Sequence, residues 1–185
     1  LVAIDAKTGK AAWNVDTVPE SLGLPSAMRK NYSITTAPRV AKGKVFVGGS
    51  GGEFGVRGFI AAYDAETGKE IWRFTYPVAV KRNHGMTRTV PAVTDKLLVT
   101  LGPKCHVAGL DPVSGELRWG LDLVRQFGAT VPPWYAGQCP LIDHDKVILA
   151  PGGKSALLLA VEAESGKTLW QTPNPRGWKM THSSV

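Results

Sequence analysis

Short apolar or mixed runs, cut by Gly, Pro and Asp, dominate the chain. Lys44–Gly49, Gly58–Asp64, Lys96–Leu101, Cys105–Asp111 and Lys146–Ala150 each have the length and composition of a β-strand. No apolar stretch approaches the ~20 residues of a membrane helix, so no transmembrane segment lies in this chain. The pattern predicts an all-β protein of many short strands.

One motif recurs four times: Ala3 to Trp13, Ala62 to Trp72, Gly109 to Trp119 and Ala160 to Trp170. Each copy has an acid (Asp5, Asp64, Asp111, Glu162), then Thr/Ser-Gly, then a closing tryptophan. The tryptophans follow one another at 59, 47 and 51 residues. Four short strands per repeat of about 40–50 residues is the signature of a β-propeller blade. The acid and Thr/Ser-Gly predict a tight hairpin turn, with Gly at positive φ. The tryptophan predicts an apolar plate between neighbouring sheets, a structural role.

Laid out on this repeat, residues 1–13 supply the last two strands of one blade. Complete blades follow at 34–75, 88–122 and 137–171. Within them the predicted strands are Ile34–Val40, Lys44–Gly49, Gly58–Asp64 and Lys69–Thr75, then Arg88–Val93, Lys96–Leu101, Cys105–Asp111 and Glu116–Asp122, then Gly137–Ile142, Lys146–Ala150, Ala156–Glu162 and Lys167–Gln171. Residues 182–185 begin a further blade. The expectation is a single propeller domain over 1–185, an incomplete arc of about four four-stranded antiparallel blades. The segments between blades read as loops.

Composition sharpens this only in part. The 21 Gly and 13 Pro suit a turn-rich all-β chain. A net charge of +7 admits an anionic partner, but the basic residues are scattered and no nucleic-acid motif is present, so nucleic acid is not an expected partner. Cys105 and Cys139 read either as a disulfide or as two buried thiols. No C-x-x-C-H occurs, so this chain carries no covalent c-type haem site. The opening Leu1-Val2-Ala3-Ile4-Asp5 reads as mid-strand, which predicts a fragment whose export signal lies outside it.

The segment Val47 to Gly58 holds the strongest candidate chemistry. Gly51 and Gly52 permit close backbone approach by a ligand. Ser50 offers a hydroxyl, and Glu53 offers a carboxylate suited to a hard cation such as calcium.

Tyr32 to Val40, Lys42 to Val45, Gly51 to Gly58 and Ala62 to Lys69 closely resemble the quinoprotein alcohol dehydrogenases, β-propellers that hold pyrroloquinoline quinone (PQQ) on a calcium ion. The resemblance covers roughly residues 1 to 75. It implies that Thr35, Ser50, Gly51 and Gly52 contact the quinone and that Glu53 ligates calcium. It also implies an alcohol substrate, an electron acceptor and a periplasmic location. Adjacent cysteines, frequent near the quinone in that family, do not occur here.

Aligning the first strand of each blade on Pro38, Pro91, Pro140 and Ser184 sets Thr36, Thr89, Gln138 and His182 in register. Thr35, Arg88, Gly137 and Thr181 fall one position earlier. Innermost strands line the central channel of a propeller, so this ring either faces a ligand or hydrogen-bonds trapped water. Arg88 is the expected counter-charge for an anionic quinone. His84 and His182 read as solvated or structural, and Trp134 as an aromatic loop cap.

After residue 76 the dehydrogenase resemblance lapses. Asn83 stands in no matching motif, and no catalytic aspartate can be named. This half looks more like the broader PQQ-like repeat proteins, which include relatives of a cofactor-free lipoprotein of outer-membrane assembly. Two functions therefore stand side by side. One is part of a PQQ- and calcium-dependent alcohol dehydrogenase; the other is a scaffold for periplasmic or outer-membrane proteins.

Overall fold

The computed structural model describes residues 1–34, 36–49, 57–80, 89–182 and 185. Strands β1 (Val2–Ile4) and β2 (Ala11–Asn14) form a two-stranded sheet. Three four-stranded sheets follow: β3 (Arg39–Ala41) to β6 (Glu70–Phe74) through β4 (Lys44–Gly49) and β5 (Phe59–Asp64); β7 (Ala92–Val93) to β10 (Leu117–Asp122) through β8 (Leu98–Leu101) and β9 (His106–Leu110); and β11 (Leu141–Asp143) to β14 (Thr168–Gln171) through β12 (Lys146–Leu149) and β13 (Leu159–Glu162). Every pairing is antiparallel between strands adjacent in sequence. The first strands β3, β7 and β11 approach one another, which makes them the innermost. The described sheets are an arc of a propeller, the expected all-β class.

The innermost strands are shorter than their sequence pattern suggests. Each begins directly after a proline: Pro38 before Arg39, Pro91 before Ala92, Pro140 before Leu141. Proline has no N–H to give to a ladder, so pairing starts one residue later. Two loops also hold short helices, α1 (Ser26–Arg29) and α2 (Leu123–Phe127). The Asp122 side chain accepts from the Val124 and Arg125 N–H groups at the start of α2, and Gly128 closes it at φ 68°.

Middle strands send alternate residues to opposite faces, and both faces are buried. Ile60 and Ala62 of β5 pack with Phe46, Leu98 and Leu110 towards the third sheet. Ala61 and Tyr63 pack with Val47 on the other side, against Leu1 and Val15. Leu98 of β8 faces the second sheet, while Val99 and Leu101 join Val147, Leu149 and Leu159 of the fourth. Each core thus lies between blades, which explains near-continuous apolar runs in these strands.

The repeated motif locks those layers together. In the first three copies the acid's Oδ1 accepts from backbone N–H groups two and three residues on. In the fourth, Glu162 takes the Ser165 hydroxyl instead. The turn glycines Gly9, Gly68, Gly115 and Gly166 all have φ near +70°, at 69, 71, 77 and 71°. Trp13 Nε1 then donates to Ala65 O at 2.9 Å, Trp72 Nε1 to Pro112 O at 3.3 Å and Trp119 Nε1 to Ala163 O at 2.8 Å. Each indole lies flat on the next blade's turn glycine. A Cβ on Gly68, Gly115 or Gly166 would sit 2.7, 2.5 or 2.8 Å from the ring.

Cys105 and Cys139 are both free thiols, Cys105 buried and Cys139 half-buried, so the reading as two buried thiols holds for Cys105 alone. Cys105 is buried with its Sγ 4.0 Å from Met180 Sδ, and Cys139 Sγ accepts the Val90 N–H at 3.3 Å. Burial, then the Asp122 charge, pushes the Cys105 thiol up to about 11.

Two predictions follow from this packing. Trp119→Ala should cost about 3–5 kcal/mol. Val113→Ala, at a side chain that is 51% exposed, should cost about 1 kcal/mol or less. Urea midpoints of the two variants against the parent check the difference. The thiol gives the second. An unfolded Cys105 ionises near 9.0 and the folded one near 11, so its contribution is intact below pH 9 and is lost as pH rises through 11. Stability should therefore fall over that window, by up to roughly 3 kcal/mol from this group. Cys105→Ala should flatten the slope of unfolding free energy against pH, whatever its fixed packing cost.

Candidate functional site

The inner strands present their polar ring at one end of the blades. Thr89 Oγ1 donates to Leu101 O at 2.8 Å. Gln138 binds the Ala150 backbone from both ends of its amide, Nε2 to Ala150 O at 3.2 Å and Ala150 N to Oε1 at 2.9 Å. These two side chains therefore tie the start of their blade to the end of its second strand. His182 lies over Gly137, where an added Cβ would stand 2.4 Å from its ring. Neither reading of the ring, ligand or trapped water, anticipated what Thr89 and Gln138 do, which is to bond to the backbone of their own blade.

Thr36 breaks the pattern. It is buried at 9% exposure, and its Oγ1 has no hydrogen-bond partner among the described residues. The corresponding backbone at Gly48 comes close, with an ideal Cβ there 3.6 Å from Thr36 Oγ1, but no bond forms.

A cavity of about 530 Å³ opens beside Thr36, between the second and third sheets. Thr36, Gly48, Gly49, Phe59 and Thr75 line it on one side; Thr89, Pro91, Thr100 and Gly102 line it on the other. Tyr76 to Val80 form a third wall, and Arg57 is the sole charged residue among the described lining residues. Thr75 Oγ1 donates to Gly58 O at 2.9 Å, holding the exit of β6 against the entry of β5.

Tyr76 is the residue that sequence reading missed, since it stands in what reads as a plain loop. Its phenol is wedged against Gly102, where a Cβ would lie 1.6 Å from the oxygen. The ring meets His106 edge-on at 5.8 Å. Its oxygen is buried without a partner, and burial, then Cys105, pushes the phenol up to about 12. No local motif announces this contact, because the glycine that permits it belongs to the next blade.

The residues assigned from sequence, Thr35, Ser50, Gly51, Gly52, Glu53 and Arg88, lie outside the described residues, as do Asn83 and His84. Their described chain neighbours converge. Thr36 follows Thr35, Gly49 precedes Ser50, and Thr89 follows Arg88; all three line the one cavity. Trp134 is 49% exposed and is not among the lining residues. Among the described residues, no group of three or more His, Cys, Asp or Glu could hold a metal ion. No described helix is long and apolar enough to cross a membrane.

Known proteins match this architecture in two overlapping blocks. A family model described as outer membrane protein assembly factor BamB matches residues 56–184. Another, described as glucose/ethanol/alcohol dehydrogenase, beta-propeller domain, matches residues 1–89. The chain belongs to the PQQ-like β-propeller repeat family. Quinohemoprotein alcohol dehydrogenase ADH IIB of Pseudomonas putida is 34% identical over 181 residues, covering 92% of this propeller chain and 23% of its own length. Quinohemoprotein alcohol dehydrogenase ADH-IIG of the same organism is 58% identical over 74 residues, covering 40% of this chain and 9% of its own. The PQQ-like chain thus spans less than a quarter of either curated relative. The solved structure of ADHIIG from Pseudomonas putida HK5 superposes with a TM-score of 0.61 at 28% identity, over 93% of this chain and 31% of that one.

The wedge of Tyr76 against Gly102 is testable in this PQQ-like propeller. Gly102→Ala should cost about 1–3 kcal/mol through overpacking. Tyr76→Phe removes the atom that clashes, so the double variant should recover part of that loss. A double-mutant cycle on unfolding free energies reads the coupling.

Proposed function

We propose that this chain is part of a PQQ- and calcium-dependent dehydrogenase that oxidises an alcohol. One observation carries the reading: the described neighbours of Thr35, of the Ser50–Glu53 loop and of Arg88 line a single cavity. Its volume, about 530 Å³, falls within the roughly 300–1,000 Å³ of small-molecule sites. The lining is mostly apolar and Gly-rich, with one cation and two unpartnered hydroxyls in its walls. That donor set suits a planar anionic ligand rich in acceptors. Relatives named as quinone and quinohemoprotein alcohol dehydrogenases support it.

Bound there, the quinone supplies a two-electron acceptor for alcohol oxidation, and calcium supplies a Lewis acid. The chain's own residues bind and orient. Glu53 provides the carboxylate for calcium. Gly51 and Gly52 let the backbone approach the ring plane, Ser50 and Thr35 offer hydroxyls, and Arg88 balances the ligand's negative charge. The apolar wall from Phe59 and Val78 excludes water, which strengthens each of these electrostatic contacts. An alcohol as substrate, a separate electron acceptor and a periplasmic location belong to the same reading.

The second reading is a cofactor-free scaffold for periplasmic or outer-membrane proteins. The match of residues 56–184 to a model described as an outer-membrane assembly factor favours it.

A PQQ titration with and without calcium, on the complete protein and on Glu53→Ala, separates the two. The dehydrogenase reading expects calcium-dependent binding, weakened about tenfold or more by the substitution, a loss of some 1.4 kcal/mol. Folded protein that takes up no PQQ at saturating calcium overturns it and leaves the scaffold.

A further inference from the structure

Two hydroxyls in the cavity walls have no assigned task. Thr36 Oγ1 and Tyr76 Oη are both buried, and neither finds a partner among the described residues. A buried hydroxyl left unsatisfied costs about 1–3 kcal/mol, so a fold that keeps two beside one cavity needs a reason. Packing alone does not supply it. At the register positions of Thr36, Thr89 and Gln138 are bonded to the backbone of the second strand, whereas Thr36 is not. Tyr76 sits where only glycine at position 102 leaves room for its oxygen, and that close approach returns no hydrogen bond.

We infer that the Thr36 and Tyr76 hydroxyls donate hydrogen bonds to the carboxylate or carbonyl oxygens of the anionic ligand held in this cavity. The inference rests on the quinone reading above and adds two binding residues to it. The charge of the site agrees. Arg57 lines the cavity, and no acidic residue does so among the described lining residues, so these walls offer an anion a cation and donors. The phenol keeps its proton at neutral pH, since burial holds its titration near 12, and it remains a donor to an anion. The two hydroxyls reach the ligand from different chain segments. Thr36 comes from the entry to the second sheet, and Tyr76 from the connection leaving it. Each would thereby trade an unpaired state for a charge-assisted bond.

PQQ itself is the probe, titrated at saturating calcium into the complete protein, Thr36→Val and Tyr76→Phe, with tryptophan quenching as the signal. Thermal midpoints of the ligand-free proteins are recorded alongside. The expected result is binding by the parent and roughly tenfold weaker binding by each variant. Ligand-free midpoints should stay level or rise, because each substitution deletes an unsatisfied buried group. Parent binding with both variants within about twofold overturns this inference and leaves the quinone reading standing. Weaker binding accompanied by lower ligand-free midpoints also overturns it, since the hydroxyls would then be supporting the fold. A folded parent that binds no PQQ overturns both.

Discussion

The docking of each blade's tryptophan onto the next blade's turn glycine is the contact on which the described architecture depends. A single blade here is a small sheet with both faces apolar, and it cannot bury either face alone. Stacking solves that problem but leaves the sheets free to slide. The indole removes the freedom: its Nε1 is tied to one carbonyl of the neighbour, while its ring rests where a Cβ would collide. The glycine is needed twice, for the positive φ of its turn and for the close approach. The contact also has a direction, always from a tryptophan to the turn of the following blade.

Fixing the stagger at the blade rims fixes the spacing of the inner strands as well. The first part of the connection from β6 to β7, Tyr76–Val80, lies along the gap between the two sheets. That gap is the cavity. Its walls are what the inter-blade geometry leaves over: glycines at the end of β4, Thr36 before β3, Thr89 and Pro91 before β7, and the Tyr76–Val80 segment. The same prolines that shorten the inner strands free the backbone before them from the ladder, so polar side chains there can turn to other partners.

How much of this was legible follows from the range of each interaction. The repeat was legible because its parts are local: an acid, a Thr or Ser, a glycine and a tryptophan within one hairpin. The propeller class followed from that repeat, and the docking role of the tryptophans from their size. Strand ends were less legible on the inner edge, where Pro38, Pro91 and Pro140 stop the ladder inside runs that look continuously strand-like. The helix Leu123–Phe127 was hidden because it is brief and depends on the Asp122 cap. The state of the two cysteines was open in sequence because pairing is a matter of distance. The ring of Thr36, Thr89 and Gln138 was legible as a register, but its division into bonded and unbonded members was not. That division depends on what each side chain finds twelve residues on. Tyr76 was the least legible, since its position is decided by a glycine in another blade.

The cavity also bears on why two functional readings coexist in one chain. Thr36, Gly48, Gly49, Phe59 and Thr75 of its first wall lie inside the block that matches the dehydrogenase propeller model. Its opposite wall, from Pro91 to Pro103, lies wholly in the block that matches the assembly-factor model. A ligand between them would draw on both halves, so the lapse of dehydrogenase-like sequence after residue 76 does not by itself dissolve the site. What that second wall contributes is shape more than charge: Pro91, Gly102 and Pro103 are small or rigid, and Thr89 is occupied with its own backbone. A wall of that kind tolerates sequence change as long as its blade stays in place, and the tryptophan contacts keep it there. In the dehydrogenase reading, the polar contacts would then come from the first half and from the connection that follows it, where Tyr76 stands.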